Sequence, residues 1–187
     1  MALGRLRKLH DRMLLTMILK PRPPRKIILG LDSTLLPLYG KQEAAAIGYN
    51  PAKKGRPPYH PLLCFNGLSR DYWQGELRPG DVHTAAGAVG LLRAAFNKLR
   101  ASVKIKIIRG DNGFYDHKTV EYLESQKALF AIVARLTRPV KRELASLAYR
   151  TYASGTETSE FFFQPTKWKK AYRFIVSRWP IPKESSD

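Results

Sequence analysis

The sequence predicts an α/β fold in which helices flank a mixed sheet and a β-rich segment lies near the carboxyl terminus. Three observations predict it. Apolar runs of strand length and segments of helical period follow one another in the order strand, strand, strand, helix, strand, helix, strand. Two of the strand runs, KIILGLD and IKIIRGD, stop on an aspartate, at Asp32 and Asp111. The later stretch FFFQPTKWKKAYRFIVSRW has two aromatic-rich runs separated by turn residues, the pattern of a hairpin.

Composition bounds the function classes. A chain of 187 residues with 44% apolar content can bury one substantial core. Lys and Arg number 33 against 15 Asp and Glu, a net charge of +18, which is the electrostatic footprint of a nucleic-acid binder. A ribosomal or anionic-membrane partner is the alternative. The cations are interleaved with apolar residues along the chain, whereas a membrane tether gathers them into one block. Cys64 is the only cysteine, so neither an intramolecular disulfide nor a cysteine zinc cluster can form, and a reducing cytoplasm suits the chain. No apolar run approaches the ~18 residues of a membrane span, so no membrane partner is expected.

The elements follow in order. Leu3, Leu6, Met13, Leu14, Met17 and Ile18 recur at helical intervals, which predicts an amphipathic helix ending before Pro21. The same stretch lacks the small-residue cleavage site of a signal peptide. Residues 21 to 24 form a stiff Pro-rich linker, so residues 1–24 are read as a helix and linker left from an N-terminal region. KIILGLD is then a buried strand with Asp32 as its last residue. Residues 37 to 58, rich in Gly, Pro and Lys, make a long exposed connection. YHPLLCFNG and DYWQGELRPG are two strands joined by a turn near 66 to 70, completing an antiparallel meander.

Thr84 is placed to cap a helix running to about Leu99, with Leu91, Leu92, Ala95, Phe96 and Leu99 on one face. IKIIRG is a further buried strand, Asp116 caps a second helix with Val120 and Leu123 inward, and LFAIVARL is another buried strand. Residues 25–138 are thus the core domain. In residues 139–187, the β-rich segment, 140 to 149 read as a short helix or strand, and the hairpin turns near 166 to 169. No internal repeat is present.

A right-handed crossover after three antiparallel strands returns the next strand parallel to the first, so Asp32 and Asp111 are expected to end adjacent strands. At a strand spacing of ~4.8 Å, two carboxylates can bracket divalent ions ~3.5–4 Å apart and support an in-line phosphoryl transfer. Hard oxygen ligands suit Mg²⁺. Taken singly, an aspartate at a strand end is more often a turn or cap residue. The pair, the topology and the charge together raise the metal reading.

Four blocks, LDSTLLPLYGKQE, GYNPAKKGRPPYHPLLCF, ELRPGDVHTAAGAVGLLRAAF and IIRGDNGFYD, in this order resemble the DDE transposases of bacterial insertion sequences, in the branch with a Tyr-Arg-Glu-Lys signature. The resemblance covers roughly residues 24 to 180. It implies a ribonuclease H-like fold, two-metal Mg²⁺ chemistry with Mn²⁺ able to substitute, and cleavage and strand transfer of DNA. Its implied partners are transposon ends and target DNA, with a homodimer allowed for the intact protein, in a bacterial cytoplasm and on the nucleoid when DNA is bound. By position Asp32 and Asp111 match the first two catalytic and metal-binding acids, and Thr34 matches the Asp-x-Thr pattern as a supporting residue. The family's third acid stands in a Tyr-x2-Arg-x3-Glu-x6-Lys pattern that is not found before Asp187. The chain is therefore expected to be truncated and catalytically incomplete, with Glu143, Glu157 and Glu160 as surface residues rather than substitutes.

Lys53-Lys54-Gly55-Arg56 is either a phosphate-contacting loop or a solvated turn, and Lys53, Lys54 and Arg56 are the candidate DNA-binding residues. His60 and His83 could flank the site, but a lone histidine is more often a hydrogen-bonded structural residue. Trp168, Lys169, Lys170, Tyr172 and Arg173 mix aromatics with charge, which suits unpaired bases; packing within the hairpin is the simpler reading. Two competing functions remain, a non-enzymatic basic DNA-binding module and a ribonuclease H-like nuclease without strand transfer.

Overall fold

The structure, a computed structural model, describes residues 2–17, 24–40, 42–43, 45–47, 57–152 and 154–179. It divides into two compact units, Met1–Ala134 and Arg135–Asp187.

The first unit is built on helix α1 (Ala2–Met17), strands β1 (Lys26–Ser33), β2 (Leu36–Pro37), β3 (Pro58–Tyr59), β4 (Leu62–Asn66) and β5 (Tyr72–Glu76), helix α2 (Ala88–Asn97), strand β6 (Ile105–Gly110), helix α3 (His117–Ser125) and strand β7 (Leu129–Ile132). Five strands form one sheet in the order β5-β4-β1-β6-β7. The short turn after Asn66 makes β4 and β5 antiparallel, while α2 and α3 carry the chain across so that β1, β6 and β7 run parallel. This is the mixed sheet with flanking helices that the order of elements predicts. β2 and β3 pair apart from it, bracketing a connection that lies largely outside the described residues.

Alternation along the strands gives the sheet two unlike faces. Ile27, Leu29 and Leu31 of β1, Leu62 and Cys64 of β4 and Ile108 of β6 are buried in one core with Leu14 of α1, Leu91, Leu92 and Ala95 of α2 and Leu123 of α3. The opposite face stays open, with Ile105 44%, Leu129 61% and Val133 60% exposed. The runs around 105 and 129 are therefore buried on one side only, and β7 is a four-residue edge strand, shorter and more exposed than LFAIVARL suggested. Apolar residues on both sides of these strands had concealed which side the helices cover.

Several polar contacts lock the helices to the sheet. The Trp73 ring is fully buried, and its Nε1 donates to the carbonyl of Ala95, 3.0 Å away, tying β5 to α2. Lys98 just beyond α2 donates to the Trp73 carbonyl at 2.9 Å and pairs with Asp11 of α1 at 2.7 Å. The amino-terminal helix thus adds Leu14 to the core of the first unit. Burial pushes the Cys64 thiol up to about 12, which keeps it protonated and out of thiol chemistry.

Helix α2 starts later than Thr84. Its cap is Gly87, in the left-handed region at φ 80, because residues 84–87 form turns whose carbonyls are held by tertiary hydrogen bonds. Asp116 caps α3 as expected, accepting from Thr119 N and Oγ1 at 3.0 and 3.1 Å.

The second unit contains α4 (Arg138–Ala145) and strands β8 (Arg150–Thr151), β9 (Glu157–Phe163) and β10 (Tyr172–Arg178), paired antiparallel in the order β10-β9-β8. The stretch from 140 thus starts as helix rather than strand, with Pro139 in the first turn where its missing N–H costs nothing. Phe161, Phe163 and Phe174 cluster on one face of the hairpin, with ring centroids 5.3–6.4 Å apart. Glu157 pairs with Arg178 and Glu160 with Arg173 across it, and Glu143 is exposed on α4.

Candidate active site

Asp32 and Asp111 come together through strand register. β1 and β6 pair from Lys26↔Ile105 to Gly30↔Arg109, and continuing that register by two residues brings Asp32 level with Asp111. Neighbouring strands lie ~4.8 Å apart. By alternation both aspartates belong to the set Lys26, Ile28, Gly30 and Ile105, Ile107, Arg109, which is the open face of the sheet. Both are exposed. Asp32 is the penultimate residue of β1 rather than its last, since Ser33 still pairs with Leu62 of β4. Asp111 follows β6 directly.

Local hydrogen bonds orient each carboxylate. Asp32 Oδ1 accepts from the Ser33 N–H at 2.7 Å. Asp111 Oδ1 accepts from the Gly113 N–H at 2.9 Å and caps the single 3₁₀ turn Asn112–Phe114, so the asparagine-glycine turn signal serves to fix this acid. An added Cβ on Gly113 would lie 2.5 Å from Thr84 Cγ2 and 3.0 Å from Asp111 Oδ1. Gly113→Ala is therefore expected to push the turn off its support, with a loss of about 1–3 kcal/mol typical of overpacking. Thermal melts check the loss, and weaker Mn²⁺ binding in the same variant checks that Asp111 has moved.

A buried cation that sequence reasoning missed stands behind this pair. Arg78 is 5% exposed. Its Nε donates to the His60 carbonyl at 3.0 Å, and Nη1 donates to the carbonyls of Thr84 at 3.2 Å and Ala86. Nη2 donates to Ser33 Oγ at 3.2 Å, and that hydroxyl donates in turn to the Pro61 carbonyl at 3.0 Å. Burial lowers the guanidinium pKa and the charge of Glu76 opposes that shift. The signal available in the sequence was an arginine opening the turn-rich run RPGD, which a net charge of +18 camouflages.

Thr34 is exposed just past β1. His60 bonds through Nδ1 to the Val82 carbonyl at 2.9 Å, and His83 Nδ1 accepts from Ala85 N at 3.2 Å, so both serve the surrounding turns. Lys53, Lys54 and Arg56 lie outside the described residues. Within the second unit the Trp168 and Tyr172 rings meet edge to face at 5.2 Å and Lys170 lies 5.4 Å from the Tyr172 centroid, which is packing inside the hairpin. Among the described residues no three His, Cys, Asp or Glu side chains are grouped as a metal cluster. Two carboxylates on one open face nevertheless present the hard oxygen donors that a divalent ion prefers. Among the described residues no helix is long and apolar enough to cross a membrane.

The family described as "Transposase DDE domain group 1" matches residues 2–184. No curated protein sequence matches. Among solved structures, a piggyBac transposase synaptic complex with hairpin DNA is similar at 16% identity and a TM-score of 0.49, over 91% of this chain and 36% of that one. A Mos1 transposase paired-end complex with left transposon end is similar at 16% identity and a TM-score of 0.40, over 66% of this chain and 40% of that one. A Mos1 mariner paired-end complex with Mn is similar at 18% identity and a TM-score of 0.39, over 66% and 40% respectively. The chain therefore spans well under half the length of these proteins.

Proposed function

Since the chain belongs to the transposase DDE domain group 1 family, we propose that Asp32 and Asp111 are two of the acids of a divalent-metal site that cleaves transposon-end DNA and joins it to a target. The observation that supports this reading most is the register of β1 and β6, whose continuation by two residues makes Asp32 the neighbour of Asp111 along the open face of the sheet. The natural ion is Mg²⁺, with Mn²⁺ as a substitute, and the substrate is the end of an insertion sequence in a bacterial cytoplasm.

When bound, the metal supplies an activated oxygen nucleophile and charge stabilisation for the leaving oxygen. The chain's own residues do the positioning. Asp32 and Asp111 offer acceptor oxygens only, held in rotation by the Ser33 and Gly113 N–H groups. The excess of Lys and Arg draws the phosphate backbone to the protein and carries no base specificity.

The test is a Mn²⁺ titration of the whole chain, followed by water-proton relaxation. Wild type is expected to bind with a dissociation constant on the order of 10⁻³ M, the weak end of oxygen-ligand sites. Asp32→Asn and Asp111→Asn should each weaken binding by about tenfold or more, equivalent to at least ~1.4 kcal/mol. Equal affinity in all three proteins would exclude the site. The net charge favours one second reading, a basic DNA-binding module without chemistry, for which DNA affinity alone matters and neither aspartate is needed.

A further inference from the structure

Among the described residues Arg78 is the one charged side chain that is buried. The hydrogen bonds it makes end on neutral groups, the carbonyls of His60, His83, Thr84 and Ala86 and the hydroxyl of Ser33. A buried cation without a bonded carboxylate is costly, and a staple for turns needs no charge. Its location accounts for what it holds. One arm of the guanidinium grips Ser33, whose N–H orients Asp32. Another arm grips the carbonyl of Thr84, whose side chain lies close against Gly113, whose N–H orients Asp111.

We propose that Arg78 is a positioning residue that sets the placement of Asp32 relative to Asp111, by joining the end of β1 to the turn on which the Asp111 turn rests. This rests on the metal-site reading above. The planar fork is what permits the bridge: its donors point in fixed, divergent directions, whereas a lysine offers one flexible point charge. Carboxylates so held keep their separation when an ion or a phosphate approaches, which a pair on independent loops does not.

The test compares the whole chain as wild type, Asp32→Asn, Arg78→Lys, Ser33→Ala and Leu123→Ala in Mn²⁺ titrations, with thermal melts of each. Leu123 lies in the core on the opposite side of the sheet and controls for loss of stability. Arg78→Lys is expected to weaken Mn²⁺ binding about tenfold, the lower end of what losing an outer partner costs a metal site. Ser33→Ala, which removes one arm of the bridge, should weaken it about threefold, a smaller share of the same loss. Leu123→Ala should melt lower and bind as wild type does. If Asp32→Asn loses binding while Arg78→Lys and Ser33→Ala retain it, the positioning role is wrong and the site stands. If Leu123→Ala weakens binding as much as Arg78→Lys, Arg78 is merely structural. Should Arg78→Lys not fold, Ser33→Ala decides alone, and unchanged affinity there overturns the proposal. Binding that is indifferent to Asp32→Asn removes the site and the proposal together.

Discussion

Raising salt from 50 to 200 mM is expected to weaken binding of this chain to duplex DNA about 10³-fold, the loss associated with roughly six neutralised phosphates. The chain carries 33 Lys and Arg against 15 Asp and Glu, with the cations distributed along its length. Each phosphate neutralised releases counterions and contributes about −0.9 to the slope of log affinity against log salt. Sequence preference should be slight, because these contacts reach the backbone rather than base edges. Replacing Lys53, Lys54 and Arg56 together should flatten the slope by about 3 if that loop touches phosphates. Fluorescence anisotropy over a salt series measures both quantities. A salt-independent affinity would refute the backbone mode, and an unaltered slope in the triple variant would return the loop to solvent.

Trp73→Ala is expected to cost about 3–5 kcal/mol, as other core aromatic truncations do. The indole is fully buried between β5 and α2, and its Nε1 bond to Ala95 helps fix the helix to the sheet edge. At about 2–4 °C per kcal/mol for a chain of this size, the melting temperature should fall on the order of 10 °C. Trp73→Phe keeps much of the ring and loses the donor, so it should cost visibly less. Equal losses in the two variants would show that the hydrogen bond, rather than the packed ring, dominates.

Much of the fold could be read because its signals are local. Strand-length apolar runs, a short turn after Asn66 and two helical spans fix which strands pair antiparallel and which must cross over. The aspartate pair was legible for the same reason, since strand-then-acid occurs twice and the crossover brings both ends together. What stayed hidden depends on tertiary contacts. Thr84 carries a good capping side chain, yet the carbonyls around it bond to Arg78, and the helix waits for the left-handed Gly87. Arg78 itself looks like any surface cation until the end of β1 folds over it. The open face was equally invisible, because Ile105 and Leu129 are as apolar as the residues the helices bury.

The central position of β1 has a consequence for the order in which the molecule assembles. Its antiparallel neighbour β4 and the following β5 are complete once residue 76 has been made, whereas its parallel neighbour β6 begins only at Ile105, beyond all of α2. Closing that longer loop comes at an entropic cost before any ladder bond compensates it, which makes non-local parallel pairing slow. During synthesis β1 therefore waits with one edge satisfied and the other bare. That bare edge carries Lys26 and Gly30 among its isoleucines and leucines, and it is a template for pairing with another chain until β6 arrives. The strand that carries the first aspartate is thus also the strand through which a nascent chain is most exposed to misassembly.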